Sequence, residues 1–350
     1  YLTSFFFVVN VVGTFLAGSG TLGASYADVS DEFASFATPA NWTQWLVVII
    51  FTSQGAFCFW QTVPSNRLNP LIRHVSYCWW LVCLLQVASS LAFSFKAIIA
   101  AFVLVVLLWA TLAVLVWRLK WDPNTHSPST ITRTEWWAVY LPFSLNFGWV
   151  SVCVFVCLNT LVIKYQGPIE ARASVANLSV VGLVFLAAFM LSFKADAPFA
   201  YVVAVCLLGV HRRLETTEAT ADVLLFIAAF ANMANVLALC VLLAATIVAV
   251  VQVQQRCQSS SQAHHFSLNH SASGRRDQWA AASWSINVCG HSRVDPPDFL
   301  CSVPARVFEL LTVCGHLHSG LSFAVGGSSS LSLTLNAVHR AAYETFFARS

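Results

Sequence analysis

Eight long apolar stretches dominate this chain, and no Asp, Glu, Lys, Arg or His lies well inside any of them. They cover residues 2–22, 42–61, 75–95, 97–117, 136–163, 173–193, 197–210 and 221–251. A helix rising 1.5 Å per residue needs about 20 residues to cross a hydrocarbon core of about 30 Å. Seven stretches meet that requirement. The stretch 197–210 falls short, which predicts a tilted or re-entrant piece.

Hydrophobic residues make up 58% of the 350, and charged residues only 9%, against roughly 25% charged in soluble domains. So few charges cannot cover a soluble globule of this size, and the composition excludes disordered, collagen-like and coiled-coil classes. The expected fold is all-α: a polytopic transmembrane helix bundle of about eight helices.

The connections carry the charges: Asp28, Asp31 and Glu32, then Arg67 and Arg73, then Arg118, Lys120 and Arg133, then Arg212 and Arg213. With eight crossings, Arg67, Arg73, Arg118, Lys120, Arg133, Lys194 and Arg256 share the side of the N-terminus. Lys96, Lys164, Arg172, Arg212 and Arg213 lie opposite. The small excess, seven against five, favours both termini inside; if the segment 197–210 does not cross, the C-terminus moves to the other face. The net charge of +3 is scattered, with no basic stripe for nucleic acid.

After Gln252 the apolar runs stop, Lys disappears, and seven of the ten His gather in 253–350. This stretch is expected to be a largely disordered extramembrane tail. Its two Cys-Gly-His units, Cys289-Gly290-His291 and Cys314-Gly315-His316, leave one residue between ligands where structural zinc sites usually leave two to four, so no metal is expected. Seven of the eleven Cys sit inside apolar runs, where Cys acts as a small hydrophobe, and no disulfide framework is expected.

The absence of titratable groups at depth narrows function. Proton relays, voltage sensors and most ion-coupled carriers need such groups inside the bilayer. Lys96, Glu135, Lys194, Asp196 and Asp222 all fall at segment ends, where interfacial water is in reach. No phosphate loop, nucleophile elbow or metalloprotease motif occurs, and no enzyme is expected.

What the spans hold instead is neutral polarity. Ser144, Gly148, Ser151, Phe155 and Asn159 recur at steps of three or four along one helix face. Asn232, Asn235 and Thr246, Gln86 with Ser89 and Ser90, and Gln44 with Thr52 mark other spans. Such stripes either hydrogen-bond neighbouring helices or line a cavity. Tryptophans divide similarly. Trp79, Trp80, Trp117, Trp121, Trp136 and Trp137 lie near charges, as an interfacial belt would, whereas Trp109 and Trp149 fall deep and need indole partners.

Several motifs resemble one family. Phe36-Ala37-Thr38-Pro39-Ala40-Asn41-Trp42-Thr43-Gln44-Trp45 looks like the Thr-Pro-x-x-Trp opening of the second helix in the TspO/translocator-protein superfamily, the tryptophan-rich sensory proteins. Leu84-Leu85-Gln86, Leu107-Leu108-Trp109-Ala110-Thr111-Leu112-Ala113 and Leu141-Pro142-Phe143-Ser144-Leu145-Asn146-Phe147-Gly148-Trp149-Val150 follow in the family's order. The last resembles the longer members, which carry additional transmembrane helices.

The resemblance implies a TspO-like five-helix core over residues 1–163, additional helices over 164–252 and a tail over 253–350. It also implies an interior that binds tetrapyrroles or sterol-like molecules. A large apolar ligand needs aromatic walls and a few neutral hydrogen-bonding groups. Trp42, Trp45, Trp109 and Trp149 would supply the walls, with Gln86 and Asn146 as polar groups. Pro142 would kink the fifth span and free a carbonyl nearby.

The expected protein binds or helps move a hydrophobic or tetrapyrrole-like ligand. Its expected partners are the lipid bilayer, the ligand itself and a homo-oligomer or membrane complex. A structural or assembly subunit, or a passive small-solute transporter, is the alternative reading.

Overall fold

A computed structural model describes residues 2–67, 69–119, 121–122, 127–128, 132–216 and 221–273. Ten α-helices follow one another: α1 Leu2–Gly18, α2 Tyr26–Glu32, α3 Trp45–Trp60, α4 Pro70–Ser94, α5 Ile98–Leu119, α6 Arg133–Glu135, α7 Leu141–Lys164, α8 Ile169–Lys194, α9 Ala197–Glu215 and α10 Ala221–Ser273. A 3-10 turn, Asn41–Gln44, leads into α3, and a π-helical stretch, Trp136–Tyr140, joins α6 to α7. The only pairing of extended backbone among the described residues is a two-residue antiparallel contact, Trp121 with Pro128 and Asp122 with Ser127.

Among the described residues seven helical runs are long and apolar enough to span a bilayer: Asn41–Trp60, Tyr77–Ser94, Ile98–Leu119, Trp136–Lys164, Ile169–Lys194, Ala197–Glu215 and Ile227–Gln254. Two expectations change. The first segment ends at Gly18 rather than 22, giving a 17-residue apolar helix, shorter than the others. The segment expected to be a 14-residue fragment is a 19-residue helix, because α9 continues through His211, Arg212 and Arg213 to Glu215. An apolar-run criterion stops at the first charged residue, but a helix carries such residues past the hydrocarbon and into the interface. At the other end of the chain, α10 passes residue 252 unbroken to Ser273. Residues 274–350, with both Cys-Gly-His units, lie outside the described residues.

Local chemistry sets the ends. Asn69 accepts from the Leu71 amide while Pro70 occupies the first turn of α4, and Asp196 accepts from the Phe199 amide ahead of Pro198 in α9. Side-chain acceptors satisfy amides the helix cannot, and proline costs nothing where no intrahelical donor is needed. Three hairpins turn on residues with positive φ: Lys96 (57°) between α4 and α5, Gln166 (53°) between α7 and α8, and Ala195 (47°) between α8 and α9. At the first two, the following amide bonds six-to-one back into the helix, Ala97 to Ala92 and Gly167 to Val162, the Schellman closure.

Helices α1, α3, α4, α5 and α7 pack around a shared interior, and α9 docks between α7 and α10 with α8 alongside. The docking is close because Gly148 of α7 faces the α9 backbone: a β-carbon there would lie 3.0 Å from Phe199 O and from Val202 Cβ. The polar stripe of α7 serves this packing. Ser144 donates to Asp196, Asn159 donates to Ser179 of α8 at 2.7 Å, and Ser151 accepts from Trp109 of α5 at 2.9 Å.

Asp196 departs from its expected interfacial place. It is fully buried, and its carboxylate accepts from the Tyr140 and Ser144 hydroxyls as well as the Phe199 amide. Trp79 likewise leaves the belt: it is fully buried among rings, and its indole donates to Thr3 O at 3.3 Å. Trp117 and Trp137 do stand outside, half exposed, with Lys194 Nζ 3.4 Å over the Trp117 ring. Charges near a tryptophan mark the chain's depth, but not which helix face the ring occupies.

Candidate functional site

The interior between α1, α3, α4, α5 and α7 is layered. Farthest from α2, four aromatic side chains from four helices meet. Trp79 lies 6.5 Å from Phe7, 6.0 Å from Phe57 and 5.3 Å from Phe143, centroid to centroid, and Phe57 lies 5.2 Å from Phe143. Three of these contacts are edge-on, the arrangement favoured by ring quadrupoles.

One turn closer to α2 on each of α1, α3 and α7, the rings give way to carboxamides: Asn10 follows Phe7, Gln54 precedes Phe57, and Asn146 follows Phe143. Gln86 of α4 joins them. Asn10 and Asn146 both donate to Gln86 Oε1, at 3.5 and 3.4 Å, and the Thr14 hydroxyl donates to Asn10 Oδ1 at 3.2 Å. All four amides are buried. Asn146 Oδ1 and both polar atoms of Gln54 have no hydrogen-bond partner within the protein, and each such atom costs about 1–3 kcal/mol when left dry.

Above the amides lies a cavity of about 150 Å³. Its floor is Thr14 and Gln86, its walls include Ser89, Ser90 and Phe93 of α4 and Trp149, Cys153 and Cys157 of α7, and its roof is Tyr26 and Ser30 of α2 with Thr38, Pro39 and Thr43. No residue lining it is charged. Burial pushes the Tyr26 phenol above its ordinary range, opposed by a hydrogen bond with Ser90, so the roof presents a neutral hydroxyl.

The roof is fastened to the rest of the bundle. Ser25 caps α2, bonding the Asp28 amide at 3.1 Å while Asp28 accepts from the Ser25 amide. Hydrogen bonds from the Ser25 hydroxyl and then the Ser25 amide hold the exposed Asp28 carboxyl below its ordinary range. Lys96 pairs with Glu32 at 2.5 Å, and Arg213 of α9 reaches Asp31 at 2.7 Å. Arg213 also donates to Ser30 O and Pro39 O, and the Ala40 amide donates to Gly209 O at 3.0 Å.

Of the residues expected at a ligand site, Gln86 and Trp149 line this cavity, and Asn146 stands beneath it on Gln86. Trp109 does not line it, and its indole N–H donates to Ser151 of α7. Pro142 is buried in the first turn of α7, directly after the π-helical stretch. The irregularity expected from proline thus takes the form of a wider turn, with the Leu141 amide reaching back to Trp136 O.

Trp45 is 70% exposed on the bundle's outer face, away from the cavity. Trp42 instead borders an open depression of about 710 Å³ between Asp31, Arg212 and Glu215. That depression is larger, but it is shallow, charged and outside the bundle. Sequence reasoning passed over Asn10, Gln54 and Tyr26. The signal for the first two was present: each is an amide near the middle of an otherwise apolar run.

A family model described as TSPO-like protein matches residues 1–247. The chain belongs to the TSPO-like family. It is a multi-pass integral membrane protein, and the exposed apolar side chains of its spans, such as Phe59, Phe185 and Phe193, meet lipid. The match takes in α8, α9 and the first half of α10 together with the helices around the cavity, so the roof-fastening helix α9 lies within the TSPO-like region. No curated protein and no solved structure matches the chain. Among the described residues no three His, Cys, Asp or Glu side chains gather as a metal would require.

Proposed function

We propose that this TSPO-like protein binds a small hydrophobic ligand in the cavity beneath α2. The observation that carries the reading is an uncharged space inside a membrane bundle, with aromatic walls at Phe93 and Trp149 and hydroxyl or amide groups at Ser89, Ser90 and Gln86. Ligand sites combine apolar walls with a few orienting polar groups.

The cavity is small for the tetrapyrrole that the family resemblance suggests. About 150 Å³ is roughly half the lower end of ordinary ligand pockets, and no cationic side chain lines it to meet carboxylates. A smaller ligand is the better match. Titration of the purified full chain with hydrophobic quenchers reads this out: saturable quenching of tryptophan emission is expected, and Trp149→Phe should remove most of it. Non-saturating quenching, unchanged in Trp149→Phe, would defeat the proposal.

One observation favours assembly as a second role. Asn232 is exposed on α10 within the span Ile227–Gln254, and an amide facing lipid gains from a partner helix by about 0.6 to 2 kcal/mol. A native gel of wild type and Asn232→Leu decides it: an oligomer lost in the variant supports assembly, and identical monomer bands refute it.

A further inference from the structure

We propose that the open depression at the end of α9 is a lipid head-group site, and that it takes a phospholipid whose head joins a phosphate diester to a primary ammonium, the ethanolamine class. The site is separate from the cavity beneath α2 and does not depend on that cavity holding a ligand.

Depth is the first observation. Asn41 and Trp42 border the depression from one chain segment, and Arg212 and Glu215 from another. The span Asn41–Trp60 begins at the first pair, and the span Ala197–Glu215 ends at the second. Two transmembrane segments thus put the depression at one boundary between hydrocarbon and water, the level of phospholipid phosphates and interfacial tryptophans. One turn further into α3, toward the hydrocarbon, Trp45, Val48 and Ile49 are exposed. Acyl chains can lie along that apolar surface beneath a head seated in the depression.

The second observation is a set of unspent donors. Arg212 is well exposed and gives one guanidinium N–H to Glu215, at 2.9 Å. A guanidinium has five such donors, and the rest of Arg212's have no protein partner among the described residues. The half-exposed Trp42 indole and the exposed Asn41 carboxamide likewise make no side-chain hydrogen bond there. A planar guanidinium fork supplemented by neutral N–H groups is the donor set that suits phosphate oxygens.

Charge balance names the rest of the head. Arg212 and Arg213 enter the depression together with Asp31 and Glu215, so cations and carboxylates are equal in number. An anionic head would meet both carboxylates with nothing to offer them. An ethanolamine ammonium brings three N–H donors to those acceptors while its phosphate takes Arg212. A choline head carries the same charge without an N–H to donate. Arg213 is engaged by Asp31, Ser30 O and Pro39 O, which leaves Arg212 as the residue that reads the phosphate.

The test is native mass spectrometry of the full chain, released from nanodiscs of equal parts dioleoyl phosphatidylethanolamine, phosphatidylcholine and phosphatidylglycerol. In the last adduct retained, the ethanolamine lipid should exceed each of the others at least threefold. Arg212→Ala should abolish that preference, Trp42→Phe should weaken it, and Arg212→Lys, which keeps the charge but loses the fork, should fall between wild type and Arg212→Ala. Trp137→Phe, at an exposed ring that does not border the depression, should leave it unchanged. Circular-dichroism melting checks that each variant folds.

Equal retention of the three lipids, or a preference for the glycerol lipid, overturns the proposal. So does an Arg212→Ala protein that keeps the wild-type preference. Displacement of the retained lipid by an equal concentration of glycerophosphoethanolamine, the head without its chains, would assign the depression to soluble phosphate esters and overturn the lipid reading.

Discussion

Arg213, in the last turn of α9, places Nη2 2.7 Å from Asp31 Oδ1 on α2, joining a helix of the α8–α10 group to the roof of the cavity. Asp31 is largely exposed, so the pair itself is worth about 0.2–1 kcal/mol. Its effect should be on opening rather than global stability. In Arg213→Ala, hydrogen exchange at amides 25–40 should speed up several-fold while the melting temperature moves by no more than a few degrees. Unchanged exchange there would show that α2 is held by other contacts.

Gly209 lies under the same roof. A β-carbon at this position would stand 2.3 Å from Thr43 Cγ2 and 3.3 Å from Pro39 Cβ. Gly209→Ala should therefore destabilise by about 1–3 kcal/mol, the usual cost of overpacking, and Thr43→Ser in the same chain should restore part of the loss. Denaturant melts in detergent measure both.

Asp196 should be the most sensitive titratable residue of the α7–α9 junction. Asp196→Ala removes the shared acceptor of the Tyr140 and Ser144 hydroxyls and uncaps α9. At about 0.5–1.5 kcal/mol for each lost hydrogen bond and about 1 for the cap, the variant should lose at least about 2 kcal/mol. Asp196→Asn, which can still accept from a hydroxyl and the Phe199 amide, should lose less. Equal losses in the two variants would mean the hydrogen bonds are not what matters there.

Gln166 holds a left-handed conformation, φ 53°, that disfavours residues with a β-carbon by roughly 1–2 kcal/mol. Gln166→Gly keeps the Gly167-to-Val162 closure and should raise stability by up to about 1 kcal/mol after the added entropy of the unfolded chain. A lower melting temperature would contradict this.

Glu135 governs the acid side. Burial alone would raise its carboxyl, but hydrogen bonds from the Asn69 amide group and from the Thr132 N–H and hydroxyl outweigh that and bring it below the ordinary range. Its contribution is thus complete above the unfolded value of about 4.3 and is lost as pH falls through the lower folded value. Melting temperature followed from pH 6 to pH 3 should fall, and Glu135→Gln should flatten that decline.

The helices were readable because the bilayer requirement on length and apolarity is written residue by residue, and α3, α4, α5, α7 and α8 lie where the apolar runs lie. What escaped depends on facing. Asp196 looked interfacial because it ends a run, yet the same position caps α9 and turns the carboxylate toward Tyr140. Trp79 sits next to Trp80 in sequence, but a helix turns 100° between them, and one ring enters the four-helix layer while its neighbour stacks on Phe6. Gln86, Asn146 and Trp149 were visible through motif resemblance. Gln54 was not, because one amide in a run that also holds Gln44 and Gln61 acquires meaning only when three others from α1, α4 and α7 arrive at its level.

The contact among Phe7, Phe57, Trp79 and Phe143 makes the cavity a cul-de-sac. A solute entering beneath α2 meets a closed end part-way through the bilayer, with a wall contributed by four separate helices. Passage to the opposite leaflet would require those rings to separate together. For the ligand proposed above, a blind vestibule of this kind would favour exchange at one membrane face over permeation.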